Sequence, residues 1–412
     1  MVNEGLKFSL TLILGEGTCQ MEKIVHEMNK ELKDRIFPFW SKLKDEENGG
    51  FYGYVDYDLN IDNKALKGSI LNSRILWFFS AFYCLDKEKK ALELAHHAYK
   101  FLRDNILDKE NKGLYWMVDY KGEPVDTRKH TYSQAFGIYG LAQYYKATGN
   151  EEALNIAIDL FNTIERNCRD ENGYLEEFDR NWNLKENYEL SEHGVISSRT
   201  MNTHLHILEA YTLLYDVWKN SNLKKSIIYL LNLFKDKIYS EDGKYLKVFF
   251  DDNWNTTIDI KSYGHDIEAS WLLDKAVDVL CDEEIKNTTK KYTMEIAENI
   301  LNNVYSPDGM VNETVEGRTD LSRVWWVQAE SVVGFFNAYQ KTNDVRFIEA
   351  SKNIWEYIKR YAIDKRDGGE WYWKVDENGK PFEMPIVEPW KCPYHNGRMC
   401  IEIIERVKNS EV

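Results

Sequence analysis

The segment MNTHLHILEAY, residues 201–211, places two of the nine histidines two positions apart in a helix-like apolar run. Side chains two apart on a helix point about 200° away from each other, so His204 and His206 cannot chelate one metal ion from a regular helix. Histidine pairs that bind metal prefer i, i+4 spacing. Asn202 and His206 have that spacing and share a face. We therefore expect Asn202 and His206 to face a site, and His204 to be held by a packed hydrogen bond.

Carboxylates accompany the other notable histidines. In YGHDIEASWLL, His265 and Glu268 are three residues apart, which is close enough on a helix for the two side chains to interact. A carboxylate beside an imidazole fixes its tautomer and raises its basicity, so Glu268 is expected to orient His265. In WWVQAE, Trp326 and Glu330 are four residues apart. In EPWKCPYHNGRM, His395 opens a helix, where the helix dipole tends to lower a histidine pKa.

Other candidate residues have a structural alternative. Arg74 lies in the apolar segment ILNSRILWFFSAF, and a buried arginine requires an anionic or strongly polar partner. That partner is either a structural carboxylate or a ligand, and the sequence leaves both open. Tyr132 in HTYSQAF and Trp390 in EPWKC either fill the core or contact a ligand, since aromatic rings stack on the apolar faces of sugars. A functional interpretation requires that these residues meet in one place.

Six similar turns divide the chain into repeats. Each turn has polar residues, a glycine and then a short alternating apolar segment, which is typical of a turn that leads into a short strand or hairpin. The turn glycines recur at intervals of about 60 to 70 residues, which predicts a repeated supersecondary unit. They are Gly50, Gly113, Gly173, Gly243, Gly309 and Gly369.

Helix-like segments with apolar residues at i, i+3, i+4 and i+7 lie between these turns, and about twelve are expected. Their predicted starts are near Glu22, Ala65, Lys87, Thr131, Glu151, Arg199, Leu223, Tyr263, Glu284, Arg323, Asp344 and Tyr394. A polar hairpin follows every odd-numbered helix, so all six hairpins should emerge at one end. We therefore predict an all-α fold, an (α/α)6 barrel of twelve helices with short β-hairpins at one end. An open solenoid of helix pairs is the alternative.

The candidate residues fall near the starts of the even-numbered helices, which the barrel would place in its inner ring. One end of the barrel would then become a polar, aromatic funnel, suited to a small neutral ligand. We expect residues 21–412 to form this single catalytic domain and residues 1–20 to be an N-terminal extension outside the barrel.

Charge and cysteine content narrow the class of protein. The formal net charge of −15 argues against nucleic acid and anionic membranes as partners. Six scattered cysteines without a CxxC motif indicate reduced thiols and a cytoplasmic location. No transmembrane segment or metal site is expected from the sequence, and a monomer or a homodimer is equally compatible with it.

Four segments together carry a family resemblance: MNTHLHILEAY, YGHDIEASWLL, WWVQAE and PWKCPYHNGR. They resemble the cellobiose 2-epimerase branch of the N-acylglucosamine 2-epimerase superfamily, from about residue 21 to the C-terminus. Cys392 stands where a glycine is common in that branch. The resemblance implies an (α/α)6 barrel that needs no metal or cofactor. It also implies reversible inversion at C2 of the reducing-end sugar of β-1,4-linked disaccharides, such as cellobiose or lactose, through ring opening and an enediolate.

Roles for individual residues follow from the resemblance. The catalytic set that it implies is His265, His395, His206, Glu268 and Arg74. The substrate-binding set is Tyr132, Asn202, Trp326, Trp390 and Glu330. His265 and His395 would form the general acid/base pair that moves the C2 proton. His206 would assist ring opening, and Arg74 would stabilise the enediolate.

Competing functions remain open at this stage. An aldose–ketose isomerase or a GlcNAc 2-epimerase of the same superfamily would use the same chemistry. A glycoside hydrolase on the same barrel would need paired carboxylates, for which Glu176, Glu177, Asp179 and Glu330 are candidates. A non-catalytic sugar-binding protein would need the tryptophans but not His265 and His395.

Overall fold

The computed structural model describes residues 22–187 and 194–410, and its backbone is dominated by twelve helices. The predicted extension, residues 1–20, lies outside the described residues. The helices begin within a few residues of every predicted start. They are α1 (22–42), α2 (Ser69–Asp86), α3 (Lys89–Phe101), α4 (Thr131–Thr148), α5 (Glu151–Asn167), α6 (Met201–Val217), α7 (Ser221–Leu233), α8 (Tyr263–Leu280), α9 (Glu283–Asn303), α10 (Trp325–Thr342), α11 (Val345–Tyr357) and α12 (His395–Ser410).

Sequence composition separates the helices into two classes. Residues 69–82 of α2 are all buried, as are residues 131–144 of α4, and both stretches are largely uncharged. Helix α3 buries only a stripe at i, i+3, i+4 and i+7, which is typical of a helix with one face in water. The even-numbered helices are therefore surrounded by protein, and the odd-numbered helices cover them.

The even-numbered helices form a closed ring. Each of α2, α4, α6, α8, α10 and α12 packs against the next, and α12 packs against α2. Glycines allow close approach, since a Cβ on Gly140 of α4 would lie 2.6 Å from the Ser73 carbonyl oxygen of α2. Each odd-numbered helix from α3 to α11 packs on the inner helix before it. The fold is an (α/α)6 barrel, which confirms the predicted class and excludes the open solenoid.

Short strands lie at one end of the barrel and form, within the described residues, six small antiparallel sheets. They are β1 (Lys67–Gly68), β2 (Met117–Val118), β3 (Pro124–Asp126), β4 (Lys129–His130), β5 (Glu177–Phe178), β6 (Leu184–Lys185), β7 (Arg199–Thr200), β8 (Tyr239–Ser240), β9 (Tyr245–Leu246), β10 (Phe249–Phe250), β11 (Ile260–Ser262), β12 (Glu313–Val315), β13 (Arg318–Asp320), β14 (Arg323–Val324) and β15 (Lys374–Val375). The sheets are β1–β2–β3, β4–β5–β6, β7–β10, β8–β9, β11–β12–β13 and β14–β15. Strands β1, β4, β7, β11 and β14 each lead directly into an inner helix. The hairpins therefore hold the N-termini of five inner helices at the same end.

Aspartates of the repeated turns tie the hairpins to these strands. Asp108 accepts backbone hydrogen bonds within its own turn and a hydrogen bond of 3.0 Å from the Lys129 Nζ of β4, where both side chains are fully buried. The pair of Asp45 with Lys67, at 2.7 Å, repeats this contact one unit earlier. Two of the repeated turns thus share a buried ion pair with the strand that leads into an inner helix.

Within residues 22–187 and 194–410, no helix combines the length and apolar character that crossing a membrane requires.

Candidate active site

A cavity of about 310 Å³ opens where the inner helices begin. Nine of the ten predicted site residues line it: Arg74, Tyr132, Asn202, His206, His265, Glu268, Trp326, Trp390 and His395. These side chains come from the first two turns of all six inner helices or, for Trp390, from the loop just before α12. The geometry of the barrel therefore brings together residues that are up to 321 positions apart, between Arg74 and His395.

The two histidines of the opening segment separate as their spacing predicts. His206 lines the cavity, and its Nδ1 lies 2.8 Å from Oε2 of Glu209 one turn along α6. His204 is fully buried, with Nδ1 2.7 Å from the Thr200 carbonyl oxygen and Nε2 accepting a hydrogen bond from the Tyr174 amide. Both ring nitrogens of His204 are occupied. Burial lowers its pKa to about 4, so this histidine is a neutral structural residue.

His395 is hydrogen bonded to Glu330 of the neighbouring inner helix α10. The Nδ1 of His395 lies 2.8 Å from Oε1 of Glu330. Glu330 is fully buried and does not line the cavity, which corrects its predicted place among the substrate-binding residues. The reason is that both oxygens face buried protein groups, since Arg398 and His395 donate to Oε1 and the Trp271 indole donates to Oε2. Burial, and then the positive charge of Arg398, hold the pKa of His395 well below its usual range.

His265 does not pair with Glu268, so the prediction that Glu268 orients His265 is wrong. Its Nδ1 lies 2.7 Å from the Ser262 hydroxyl oxygen at the end of β11. Glu268 instead accepts a hydrogen bond of 2.5 Å from Nη2 of Arg398. A guanidinium from α12 competes successfully for the carboxylate because its charge compensates the buried anion. Burial, and then the nearby His206, lower the pKa of His265 to about 3.

Two hydrogen-bond acceptors in cavity-lining residues have no partner among the described residues. They are Oε2 of Glu268 and Oδ1 of Asn202, both buried. Burial raises the pKa of Glu268 to about 7, with a further contribution from the negative charge of Glu330. Buried acceptors normally find a donor, so these two atoms are suited to the hydroxyl groups of a bound sugar.

Three residues could in principle hold a cation, since ligand atoms of Glu268, Glu330 and His395 lie within 4.8 Å of one another. Nη2 of Arg398 already donates to both carboxylates, and Nδ1 of His395 is hydrogen bonded to Glu330. A guanidinium therefore occupies the position between the carboxylates. The arrangement fits a hydrogen-bonded ion cluster better than it fits a metal site.

Arg74 forms part of the cavity wall together with aromatic residues. Its Nη2 donates a hydrogen bond of 2.8 Å to the Tyr132 hydroxyl, and its guanidinium lies 4.1 Å from the centre of the Phe136 ring and 4.5 Å from that of Tyr394. No carboxylate pairs with Arg74 within the described part of the chain. The structural ion pair considered from the sequence is thus not formed, and the charge remains available to an anionic group in the cavity.

Tryptophans complete the cavity. The indole of Trp326 contacts two imidazoles, with its ring centre 4.7 Å from that of His265 and 5.5 Å from that of His395. Trp390 contacts Tyr132 at 5.8 Å between ring centres. The apolar faces of these rings lie beside the polar groups, which is the combination that sugar-binding sites require.

Sequence analysis assigned no role to three residues that support the site: Ser262, Glu209 and Arg398. Glu209 follows His206 by three positions, and Arg398 follows His395 by three. The i, i+3 spacing applied to His265 and Glu268 would therefore have identified the true pair of His206 with Glu209. Ser262 carried no comparable signal, since serines are common at the end of a strand.

Comparison with known proteins places the chain in a family. The family model for N-acylglucosamine 2-epimerase (GlcNAc 2-epimerase) matches residues 50–397, and the chain belongs to this family. It is 51% identical over 381 residues to the cellobiose 2-epimerase of Dictyoglomus turgidum, which covers 92% of this chain and 98% of that protein. The cellobiose 2-epimerase of Ruminococcus albus is 50% identical over 384 residues, with 93% and 99% covered. The structure of cellobiose 2-epimerase from Bacillus thermoamylovorans matches with a TM-score of 0.91 at 50% identity, over 93% of this chain and all (100%) of that one.

Proposed function

We propose that the protein is a cellobiose 2-epimerase, which reversibly inverts C2 of the reducing-end sugar of β-1,4-linked disaccharides. The relatives at about half identity over nearly the whole chain support this assignment. The observation that carries the chemistry is that His265 and His395 both contact the Trp326 indole in one cavity. Inversion by proton transfer needs two such groups, because a proton leaves one face of C2 and a proton is added to the other.

Ring opening comes first in the proposed mechanism, since only the open aldehyde has an acidic proton at C2. His206 holds a proton on Nδ1 toward Glu209, so its Nε2 is the nitrogen available to the sugar oxygens. We infer that it exchanges a proton with O1 or O5 as the ring opens. Asn202 and Glu268 offer acceptors to the neighbouring hydroxyl groups.

Proton transfer at C2 then requires a neutral base. The low pKa values of His265 and His395 keep both imidazoles uncharged at neutral pH, so either one can take the C2 proton. The enediolate that forms is negatively charged, and Arg74 with its Tyr132 partner is placed to stabilise it. The same negative charge raises the basicity of the imidazole on the opposite face, which takes up a proton from solvent. That imidazolium gives its proton to C2 and completes the inversion, and the first imidazolium releases the proton it took from C2 to solvent, so both imidazoles return to the neutral form.

The carboxylates that the sequence offered for a hydrolase do not line the cavity, which disfavours hydrolysis by them. Both oxygens of Glu176 accept hydrogen bonds from Thr200 and Thr203, away from the cavity. Glu177 and Asp179 do not line the cavity either. We expect this enzyme to bind disaccharides and not to bind nucleic acid or membranes. The scattered cysteines predict the cytoplasm as its compartment.

Product analysis of cellobiose tests the proposal. Purified protein is incubated with cellobiose, lactose, GlcNAc or mannose, and the sugars are separated by anion-exchange chromatography. Glucosyl-mannose from cellobiose and epilactose from lactose are expected. Free glucose would indicate a hydrolase, and glucosyl-fructose as the main product an aldose–ketose isomerase. Conversion of GlcNAc or mannose alone would move the assignment to another branch of the superfamily, and no conversion of any sugar would overturn it.

A further inference from the structure

We propose that Arg398 is a positioning residue that fixes the orientation and the proton location of His206 and His395 together. One buried guanidinium would thereby prepare two of the three cavity imidazoles. The catalytic consequence rests on the proposed function, because it concerns the reaction in which these imidazoles act. The arrangement itself can be measured without any substrate.

The guanidinium reaches the two imidazoles through two carboxylates. Its Nη1 donates to Oε1 of Glu209, and Oε2 of Glu209 lies 2.8 Å from Nδ1 of His206. Its Nη2 lies 2.7 Å from Oε1 of Glu330, and that same oxygen lies 2.8 Å from Nδ1 of His395. Both paths run from the guanidinium through a carboxylate to Nδ1, across the two oxygens of Glu209 in one case and through a single oxygen of Glu330 in the other.

This geometry decides where the imidazole protons lie. A carboxylate held by a guanidinium is an acceptor, so the nitrogen that faces it must donate. Both imidazoles therefore carry hydrogen on Nδ1 and turn Nε2 toward the cavity. Loss of Arg398 would leave Glu209 and Glu330 as buried carboxylates without compensating charge, and such groups take up protons. A protonated carboxyl no longer fixes Nδ1 as the donor, and both tautomers become accessible.

Arg398 acts from outside the cavity. It is fully buried and does not line the cavity, and its guanidinium lies between the rings of Tyr394, at 4.1 Å, and Trp271, at 4.8 Å. Nη2 also donates to Glu268, whose second oxygen is unpartnered in the cavity wall. The planar fork thus joins α6, α8, α10 and α12. Lysine, with a single ammonium group, cannot reproduce two separate arms.

Three variants and one spectroscopic measurement test the proposal. Arg398→Met removes both arms, and Arg398→Lys keeps the charge without the fork. Arg406→Met is the matched control, because Arg406 lies two turns along the same helix and 5.7 Å from the Trp271 ring but bonds Glu402 outside the cavity. Nitrogen-15 NMR of labelled histidines reports which ring nitrogen carries hydrogen. The signals of His206 and His395 are assigned with their asparagine variants.

In the unchanged protein we expect both histidines as the Nδ1–H tautomer. In Arg398→Met at least one of them should change to a mixture, and kcat should fall on the order of 100-fold with KM changed much less. Arg398 lowers the pKa of His395, so its loss should move the acid limb of the kcat/KM profile to higher pH. Arg398→Lys should keep the Nδ1–H tautomer at one of the two histidines and have an intermediate kcat. If Arg398→Met does not fold, the lysine variant alone carries the test.

The proposal is overturned if both tautomers and the acid limb stay unchanged in both Arg398 variants while only thermal stability falls, as in Arg406→Met. It is equally overturned if the unchanged protein shows Nε2–H at both histidines. Failure of the proposed function gives a different result, namely no sugar conversion by the unchanged protein. The tautomer measurement remains decisive in that case, because it needs no substrate.

Discussion

The Nδ1 of His395 lies 2.8 Å from Oε1 of Glu330, and this contact joins the first residue of α12 to a buried carboxylate of α10. Glu330 is therefore a support for the imidazole and does not contact the ligand space. We expect Glu330→Gln to lower kcat about 10- to 100-fold with a small change in KM, because the amide no longer fixes the imidazole proton by charge. Steady-state kinetics with cellobiose measures this. A large rise in KM at constant kcat would instead return Glu330 to the substrate-binding residues.

Replacement of His395 or His265 by asparagine separates an enzyme from a sugar-binding protein. Each change removes an acid/base group while it keeps a polar side chain in the cavity. Turnover of cellobiose should fall about 10²- to 10⁴-fold, which is the usual contribution of such a group. Binding should persist, because the tryptophans remain, and tryptophan fluorescence titration reports it. Retained turnover in both variants would contradict the acid/base assignment.

A substitution at Gly264 tests whether the position of the Trp326 ring matters for activity. A Cβ at residue 264 would lie 2.6 Å from the Trp326 ring, against about 3.5–4.0 Å for an ordinary carbon contact. Gly264→Ala should displace the indole from its contacts with the two imidazoles and lower kcat/KM on the order of 10- to 100-fold. Gly149→Ala is the control, since its Cβ would meet nothing within 4 Å. Its positive φ of 69° should cost about 1–2 kcal/mol of stability and leave the activity unchanged. Equal activity in the two variants would contradict the proposed role of Trp326.

His204 makes stability depend on pH. Its pKa is about 4 in the folded protein and about 6.5 in an unfolded chain, so between these values the unfolded chain binds more protons. The free energy of unfolding should therefore fall as pH falls from about 6.5 toward 4, by up to about 1.4 kcal/mol per pH unit from this residue. His204→Asn should be less stable at pH 7 and should lose less on acidification. Urea unfolding at pH 7, 5.5 and 4.5 measures both. If the free energy of unfolding depends on pH in the same way in His204→Asn and in the unchanged protein, the role of His204 is contradicted. His26→Asn is the matched control, because His26 is exposed.

The fold could be predicted because its signals are local. The 3.6-residue periodicity located each helix, and the recurring turn glycines gave the number of repeats. Closure of the ring followed from the count of six, and the packing of α12 against α2 confirms it. Placing the candidate residues at the starts of the even-numbered helices was sufficient to bring nine of them to one cavity.

The detailed pairing could not be predicted, because partners are chosen in three dimensions. Helical spacing makes Glu268 available to His265, but it does not show that Arg398 of another helix approaches the same carboxylate. His265 then takes the Ser262 hydroxyl as its partner. Arg398 draws its acceptors from α6, α8 and α10, and no spacing within one helix encodes such a set.

Deuterium incorporation from solvent tests the central claim of proton transfer at C2 most directly. Cellobiose is incubated with the protein in D2O, and the products are followed by proton NMR. The account predicts glucosyl-mannose that carries deuterium at C2, with deuterium appearing at C2 of the cellobiose pool as the reaction reverses. Glucosyl-mannose that retains hydrogen at C2 after many turnovers would contradict exchange through two solvent-equilibrated imidazoles, and release of glucose without epimer would contradict the epimerase assignment itself.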